Sequence, residues 1–317
     1  MKYLKLSEIC NPKQWKTLST EQLLDKGFPV YGANGKIGYY STYNHELPTI
    51  MITCRGATCG SINISEPKSW INGNAMCLDN LSSDVSLKYL AFYLQNYNFN
   101  HVISGSAQPQ ITREGLEKVK VKVYAKELQE KISIQLDKVQ KIISESKAIL
   151  EKYDTLIKSR FIEMFGDPKI NSSNLPTKKF IEVVKLQRGF DLPVQERNQD
   201  GLFNVYGSNG PLDKHDSFKV KAPGIVTGRS GTLGNVYYVL EDYWPLNTTL
   251  FSVDIHNNNV VYLKYLLELY DLSRFSEGAG VPTLNRNIVH DKDIIDVPLS
   301  LQNDFAAFVQ QIDKSKF

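Results

Sequence analysis

Two arginines stand in the same local setting. Thr53-x-Arg55-x-x-Thr58-x-Gly60 recurs as Thr227-x-Arg229-x-x-Thr232-x-Gly234. Each arginine follows an apolar run and sits in a glycine-bearing turn, where its planar fork can take guanine O6 and N7 or a phosphate. The competing assignment is a fork that ties down the carbonyls of its own turn. A second pair precedes them: Tyr31-Gly32-x-Asn34-Gly35-Lys36 and Tyr206-Gly207-x-Asn209-Gly210. Glycine there lets backbone, Tyr31, Asn34, Lys36, Tyr206 and Asn209 approach a ligand closely, and a plain hairpin turn accounts for the same letters. A third pair is the loop Ser104 to Gly115, with Gln108, Gln110, Thr112 and Arg113, and its counterpart Ser276 to Asn287, with Thr283, Asn285 and Arg286. Amides and guanidinium groups of this kind read adenine and guanine edges or hold phosphates, unless they are spent on their own backbone.

Chemistry of other kinds finds no footing. The chain lacks an Asn/Asp-Pro-Pro-aromatic motif for methylating an exocyclic amine, a glycine loop ending in Gly-Lys-Ser/Thr, and a Gly-x-Ser-x-Gly nucleophile turn. No catalytic residue is therefore assigned. Of four cysteines only Cys54 and Cys59 are close, with no second Cys/His pair to complete a zinc site, and the five histidines are scattered. Reduced structural thiols and no metal site are expected. Trp70 and Trp244 fit a core better than a stacking platform.

The elements that must position these loops also come in pairs. The echoes keep an offset between 173 and 176 residues, too long for a solenoid and suited to a duplicated domain. Each copy reads as short strands broken by glycine turns, then a helix, a loop and a last apolar strand. The helices are Ser86 to Tyr97 and Tyr262 to Tyr270, with Leu87-Lys88-Tyr89-Leu90 matched to Leu263-Lys264-Tyr265-Leu266; the strands carry Val119, Val121 and Val123 or Ile294, Ile295 and Val297. The fold class is mixed α/β of the segregated kind (α+β), with two duplicated globular domains joined by a long coiled-coil helix. The expected domains are 1–125, a spacer helix over 126–166, a second domain over 167–300, and the start of a second spacer helix over 301–317.

Between the copies, Lys126 to Phe165 contains neither proline nor glycine, and its apolar residues recur close to every seventh place, so it predicts a rod of roughly 60 Å. Gly166-Asp167-Pro168 stops it. Its apolar face is wider than a two-stranded seam needs, and Ile142, Ile149, Leu150, Tyr153, Leu156 and Ile157 are assigned to a subunit interface. An exposed stripe from Ile149 to Phe161, covered by a partner, a second copy or more chain, is the expectation. The second rod opens with Leu301-Gln302, as the first does with Leu128-Gln129, and reaches Phe317, which matches residue 144 of the first. Self-association through the unpaired helix is one way to complete the pair.

Composition sets wide bounds. A chain of 317 residues suffices for two domains, and 17 tyrosines with 14 phenylalanines argue against disorder. A net charge of +3 permits contact with a polyanion without demanding it. Neither a signal peptide nor a run of ~20 apolar residues occurs, so no membrane partner and a cytoplasmic location are expected.

The residues now in view resemble those of a known family, the specificity (S) subunits of type I restriction–modification systems. The carriers are GSAQPQITREGLEKVKVKV (Gly105 to Val123), KELQEKI (Lys126 to Ile132), LIKSRFIEMFGDP (Leu156 to Pro168) and LQNDFAAFVQQIDKSKF (Leu301 to Phe317). The resemblance implies two target recognition domains, rods forming an antiparallel coiled coil, and an asymmetric bipartite target in double-stranded DNA. It further implies a non-catalytic chain that binds methyltransferase (M) subunits, two per S, and restriction (R) subunits. S-adenosylmethionine, ATP and Mg belong to those partners, with no cofactor in this chain. Base-reading residues differ between members, so no single contact is carried over. The rival reading is an interaction or dimerisation scaffold without DNA readout of its own.

Overall fold

Glycine-bounded runs of β-branched and aromatic residues form strands, and both copies build from them the same pair of sheets. In the computed structural model, which describes residues 1–317 apart from Ser106, Ala107, Ala279 and Phe317, a four-stranded antiparallel sheet takes the order 11–13, 75–79, 50–53, 62–64. Its twin runs 185–188, 249–254, 224–228, 236–239. Beside each lies a three-stranded sheet, 35–40, 28–32, 70–71 in one copy and 210–215, 203–207, 243–245 in the other. The two hairpins in these smaller sheets even share a register shift, between Val30 and Tyr31 and between Val205 and Tyr206. Ser106 and Ala107 in the first long loop, Ala279 in its counterpart, and Phe317 of the second rod fall outside the described residues.

The chain divides into two compact units, Met1–Glu145 and Ser146–Phe317. The rod is one helix, Lys126–Phe165, and the division falls within it. In the first unit the rod is fixed by Gln129, which is fully buried: its amide donates to the carbonyls of Asp84 and Tyr124, and its oxygen accepts from the Ser86 backbone N–H. Gln302, at the start of the helix Leu299–Ser315, repeats the arrangement in the second unit, donating to Asn258 and the Val297 carbonyl and accepting from the Asn259 N–H. A buried amide with every partner met fixes geometry, because losing one partner strands the others.

This pair of clamps corrects one sequence match. Ser86 and Asn259 cap the helices Leu87–Gln95 and Val260–Tyr270, so Tyr89-Leu90 corresponds to Tyr262-Leu263. The match to Tyr265-Leu266 is displaced by about one helical turn.

The far half of the rod also departs from expectation. Ile157, Phe161 and Phe165 recur at every fourth position and are buried within the second unit. Phe161 lies 5.6 Å from the Tyr262 ring and 5.3 Å from the Phe305 ring, and Phe165 lies 5.3 Å from Tyr262. Ile157 and Phe161 are therefore core residues of this chain and not a surface for a partner, because the helices Val260–Tyr270 and Leu299–Ser315 already cover them. The remaining stripe does face solvent: Ile142 is 62% exposed, Ile149 50%, Leu150 44% and Leu156 46%, while Tyr153 is half-buried.

Candidate nucleic-acid interface

In each unit the arginine turn begins from a fully buried threonine. Thr53 donates its hydroxyl to the Ala33 carbonyl and Thr227 donates to the Asn235 carbonyl, which anchors the base of each turn. Gly60 and Gly234 close the turns at φ +94° and +89°, a left-handed conformation that glycine adopts without strain. The long loop then pairs with the turn through the backbone. Gly56 N–H donates to the Pro109 carbonyl at 3.1 Å and Ile111 N–H to Cys54 at 3.0 Å; Gly231 donates to Pro282 at 3.3 Å and Leu284 to Arg229 at 2.7 Å. Arg55 thus faces Gln110 across a β-bridge, as Ser230 faces Thr283. The hairpin tip joins the same surface in the first unit, where the Thr58 hydroxyl donates to Asn34 Oδ1 at 2.6 Å.

Fates differ among the candidate side chains. Asn34, Lys36, Arg55, Thr58, Gln108, Gln110, Thr112, Arg113, Asn209, Thr232 and Asn285 are exposed, and Arg229, Thr283 and Arg286 are half-buried. Tyr31 and Tyr206 face inward, a correction to their reading as contacts. The Tyr31 hydroxyl meets Glu66, which also pairs with Lys36 at 3.6 Å, and Tyr206 packs on Tyr243. Burial pushes both phenols up in pKa, so they stay neutral. Thr112 and Asn285 cap the one-turn helices Arg113–Glu117 and Arg286–His290 by accepting backbone N–H groups.

One concentration of positive charge lies in the second unit. Arg188, Arg229 and Arg286 line one cavity of about 370 Å³, with Thr283, Asn285 and a single carboxylate, Glu277. The arginines that form ion pairs among the described residues are Arg113, Arg160 and Arg197. Three uncompensated guanidinium groups around one hollow favour an anion or an acceptor-rich base edge. Of the three, Arg286 also acts on His290, whose pKa is lowered by burial first and then by Arg286 and Lys185. Arg188 was absent from the sequence assignment. The residue 173 places earlier is Trp15, so the repeat carries no signal for it; sheet register does, because Leu250 pairs with both Arg188 and Thr227.

Among the described residues, the first unit holds no matching cluster. Arg113 is bound to Glu117 at 2.7 Å and to Asn11 Oδ1 at 3.0 Å, and Trp15 donates to Asp79. His45, Cys77 and Asp79 bring potential ligand atoms within 4.8 Å of one another, a grouping the linear sequence did not suggest. Asp79 accepts from Trp15 at 2.9 Å and contacts His45 at 3.0 Å, while the other His45 nitrogen meets Asn44 at 2.6 Å, so hydrogen bonds account for this chain of groups. Burial holds the Cys77 thiol well above its usual pKa and pushes Cys10 up to about 12, which keeps both protonated.

Known proteins share this construction. Residues 1–152 match the type I restriction modification DNA specificity domain. A Mycoplasma pneumoniae protein named as a type I specificity subunit is 20% identical over 300 residues, covering 88% of this chain and 81% of the relative. A Haemophilus influenzae protein named as a type I restriction enzyme specificity subunit is 21% identical over 323 residues, covering 94% and 83%. The crystal structure of a type I restriction-modification S subunit from M. genitalium superposes with a TM-score of 0.68 at 16% identity, covering 99% of this chain and 90% of that one. The first repeat thus matches the type I restriction modification DNA specificity domain, and proteins named as type I specificity subunits align with this chain along almost its whole length.

Proposed function

We propose that this chain is the DNA-reading, non-catalytic specificity subunit of a type I restriction–modification complex. Each unit presents its joined arginine turn and long loop to one half of a bipartite duplex target, and M and R subunits carry the methylation and cleavage chemistry with S-adenosylmethionine, ATP and Mg. The observation that carries this reading is the three-arginine cavity of the second unit, built from Arg229 and Arg286 in two loops and Arg188 in the adjoining strand. Backbone bonding of loop to turn in both units supports it, because a rigid platform fixes which groups a base edge meets.

The test is a map of methylated adenines in the source genome with and without this gene. A bipartite motif that disappears with the gene is the expected result. The assembled complex should also lose duplex affinity steeply between about 50 and 200 mM salt. Affinity that ignores salt, together with loop charge reversals that leave DNA binding intact, would favour the scaffold reading.

A further inference from the structure

One small sheet is charged in the first unit and neutralised in the second. In the first unit the strands Lys2–Lys5 and Lys120–Val123 pair antiparallel, with Leu4 and Val121 turned to the core. Strand alternation puts Tyr3 and Lys5 on the other face, opposite Lys122 and Lys120. Lys118 extends the row from the end of the helix Arg113–Glu117. Lys5, Lys118 and Lys120 are exposed, and Lys122 is half-buried. Among the described residues none of these four enters an ion pair. Two nearby carboxylates are engaged elsewhere: Glu8 accepts the Lys5 backbone N–H at 2.6 Å, and Glu117 pairs with Arg113.

The second unit repeats the sheet with Thr177–Lys179 and Asp293–Ile295. Leu6 donates its N–H to Val119 as Phe180 does to Lys292, which matches Lys5 with Lys179, Lys118 with Asp291 and Lys120 with Asp293. There the lysines are answered. Lys179 meets Asp293 at 3.1 Å and Asp291 at 3.9 Å, and Lys178 meets Asp296 at 2.8 Å. Like charges directly opposite across two strands cost stability, so Lys5 against Lys120 is an arrangement that an anion placed between them relieves.

We infer that Lys5, Lys118, Lys120 and Lys122 bind the phosphate backbone of duplex DNA beside the first unit's turn-and-loop platform, and that the matched sheet of the second unit, neutralised by its own aspartates, does not. This inference rests on the DNA-reading assignment and adds a sequence-independent anchor to one half of it. Lys118 lines a hollow of about 350 Å³ with Ser104 and Thr112 of the long loop, His101 and one carboxylate, Glu114, so the row begins where the platform ends. Alternate residues of a strand stand about 6.7 Å apart, twice the ~3.4 Å axial spacing of phosphates along one DNA strand. A lysine row is the composition of a nucleic-acid contact, since lysine is depleted where proteins meet.

The complex assembled with methyltransferase subunits is titrated with its target duplex between about 50 and 200 mM salt, and log K is plotted against log salt. Lys5→Gln with Lys120→Gln should reduce the slope by about 2 and weaken cognate and altered duplexes alike. Lys178→Gln with Lys179→Gln should leave the slope unchanged. All four positions are exposed, and circular dichroism checks that each variant stays folded. An unchanged slope in the Lys5 and Lys120 variant, or an equal fall in both variants, overturns the proposal. Lost co-elution with methyltransferase subunits at an unchanged slope also overturns it, in favour of an acidic protein surface. Wild-type affinity that ignores salt removes the DNA-reading assignment itself, and the anchor with it.

Discussion

Arg113 and Arg286 occupy the same place in their repeats, yet of the two only Arg113 is paired with a carboxylate, Glu117, while it also donates to Asn11. Arg286→Ala should therefore weaken cognate binding by the assembled complex by about 1–3 kcal/mol, with a much smaller loss for Arg113→Ala. Duplexes altered one base pair at a time identify the contact: a loss confined to one position marks a base edge, and a uniform loss marks a phosphate. His290 gives a pH test in the same unit. Its Nε2 accepts the Leu186 N–H at 3.0 Å, which requires the neutral ring, and burial with Arg286 and Lys185 lowers its pKa below the usual 6.5. The unfolded chain takes up that proton first on acidification. The stabilisation is thus complete above pH 6.5 and lost as pH falls through the lowered native value, so melting of the second unit should drop there and His290→Gln should flatten the drop. At this scale the sequence showed Arg229, Thr283, Asn285 and Arg286 through their echoes. It concealed Arg188, whose place in the first repeat is taken by Trp15.

The rod shows what periodicity conveys and what it omits. A stretch without proline or glycine and with near-heptad apolar spacing specified the helix Lys126–Phe165, because both facts are local. Which face is covered depends on residues more than a hundred positions away, so Ile157 and Phe161 read as interface although Tyr262 and Phe305 enclose Phe161. Phe161→Ala should cost the second unit about 3–5 kcal/mol in denaturant unfolding, followed through Trp244. The first unit's transition should not move. A similar ambiguity misaligned the helices: Tyr-Leu occurs twice within Val260–Tyr270, one turn apart, and only the contacts of Gln129 and Gln302 choose between them.

Across the whole chain, duplication was the most legible property, since two identical sheet orders follow from two copies of one pattern. The rod residues Ile142, Ile149 and Leu156 remain apolar and exposed, beyond what solubility alone would select. Changing Ile142 and Ile149 together to Asp should leave the chain folded and reduce its co-elution with methyltransferase subunits in size-exclusion chromatography; unchanged assembly would remove the stripe from the interface. The backbone bonds between turn and loop have a different kind of consequence. Because Gly56, Ile111, Gly231 and Leu284 hold the platform through main-chain groups, exposed side chains such as Arg55, Gln108 and Gln110 carry little of its stability. On the proposed function, mutation can replace them one by one without an intervening unfolded ancestor, so a lineage can acquire a new target at the loop tips while its framework keeps its fold.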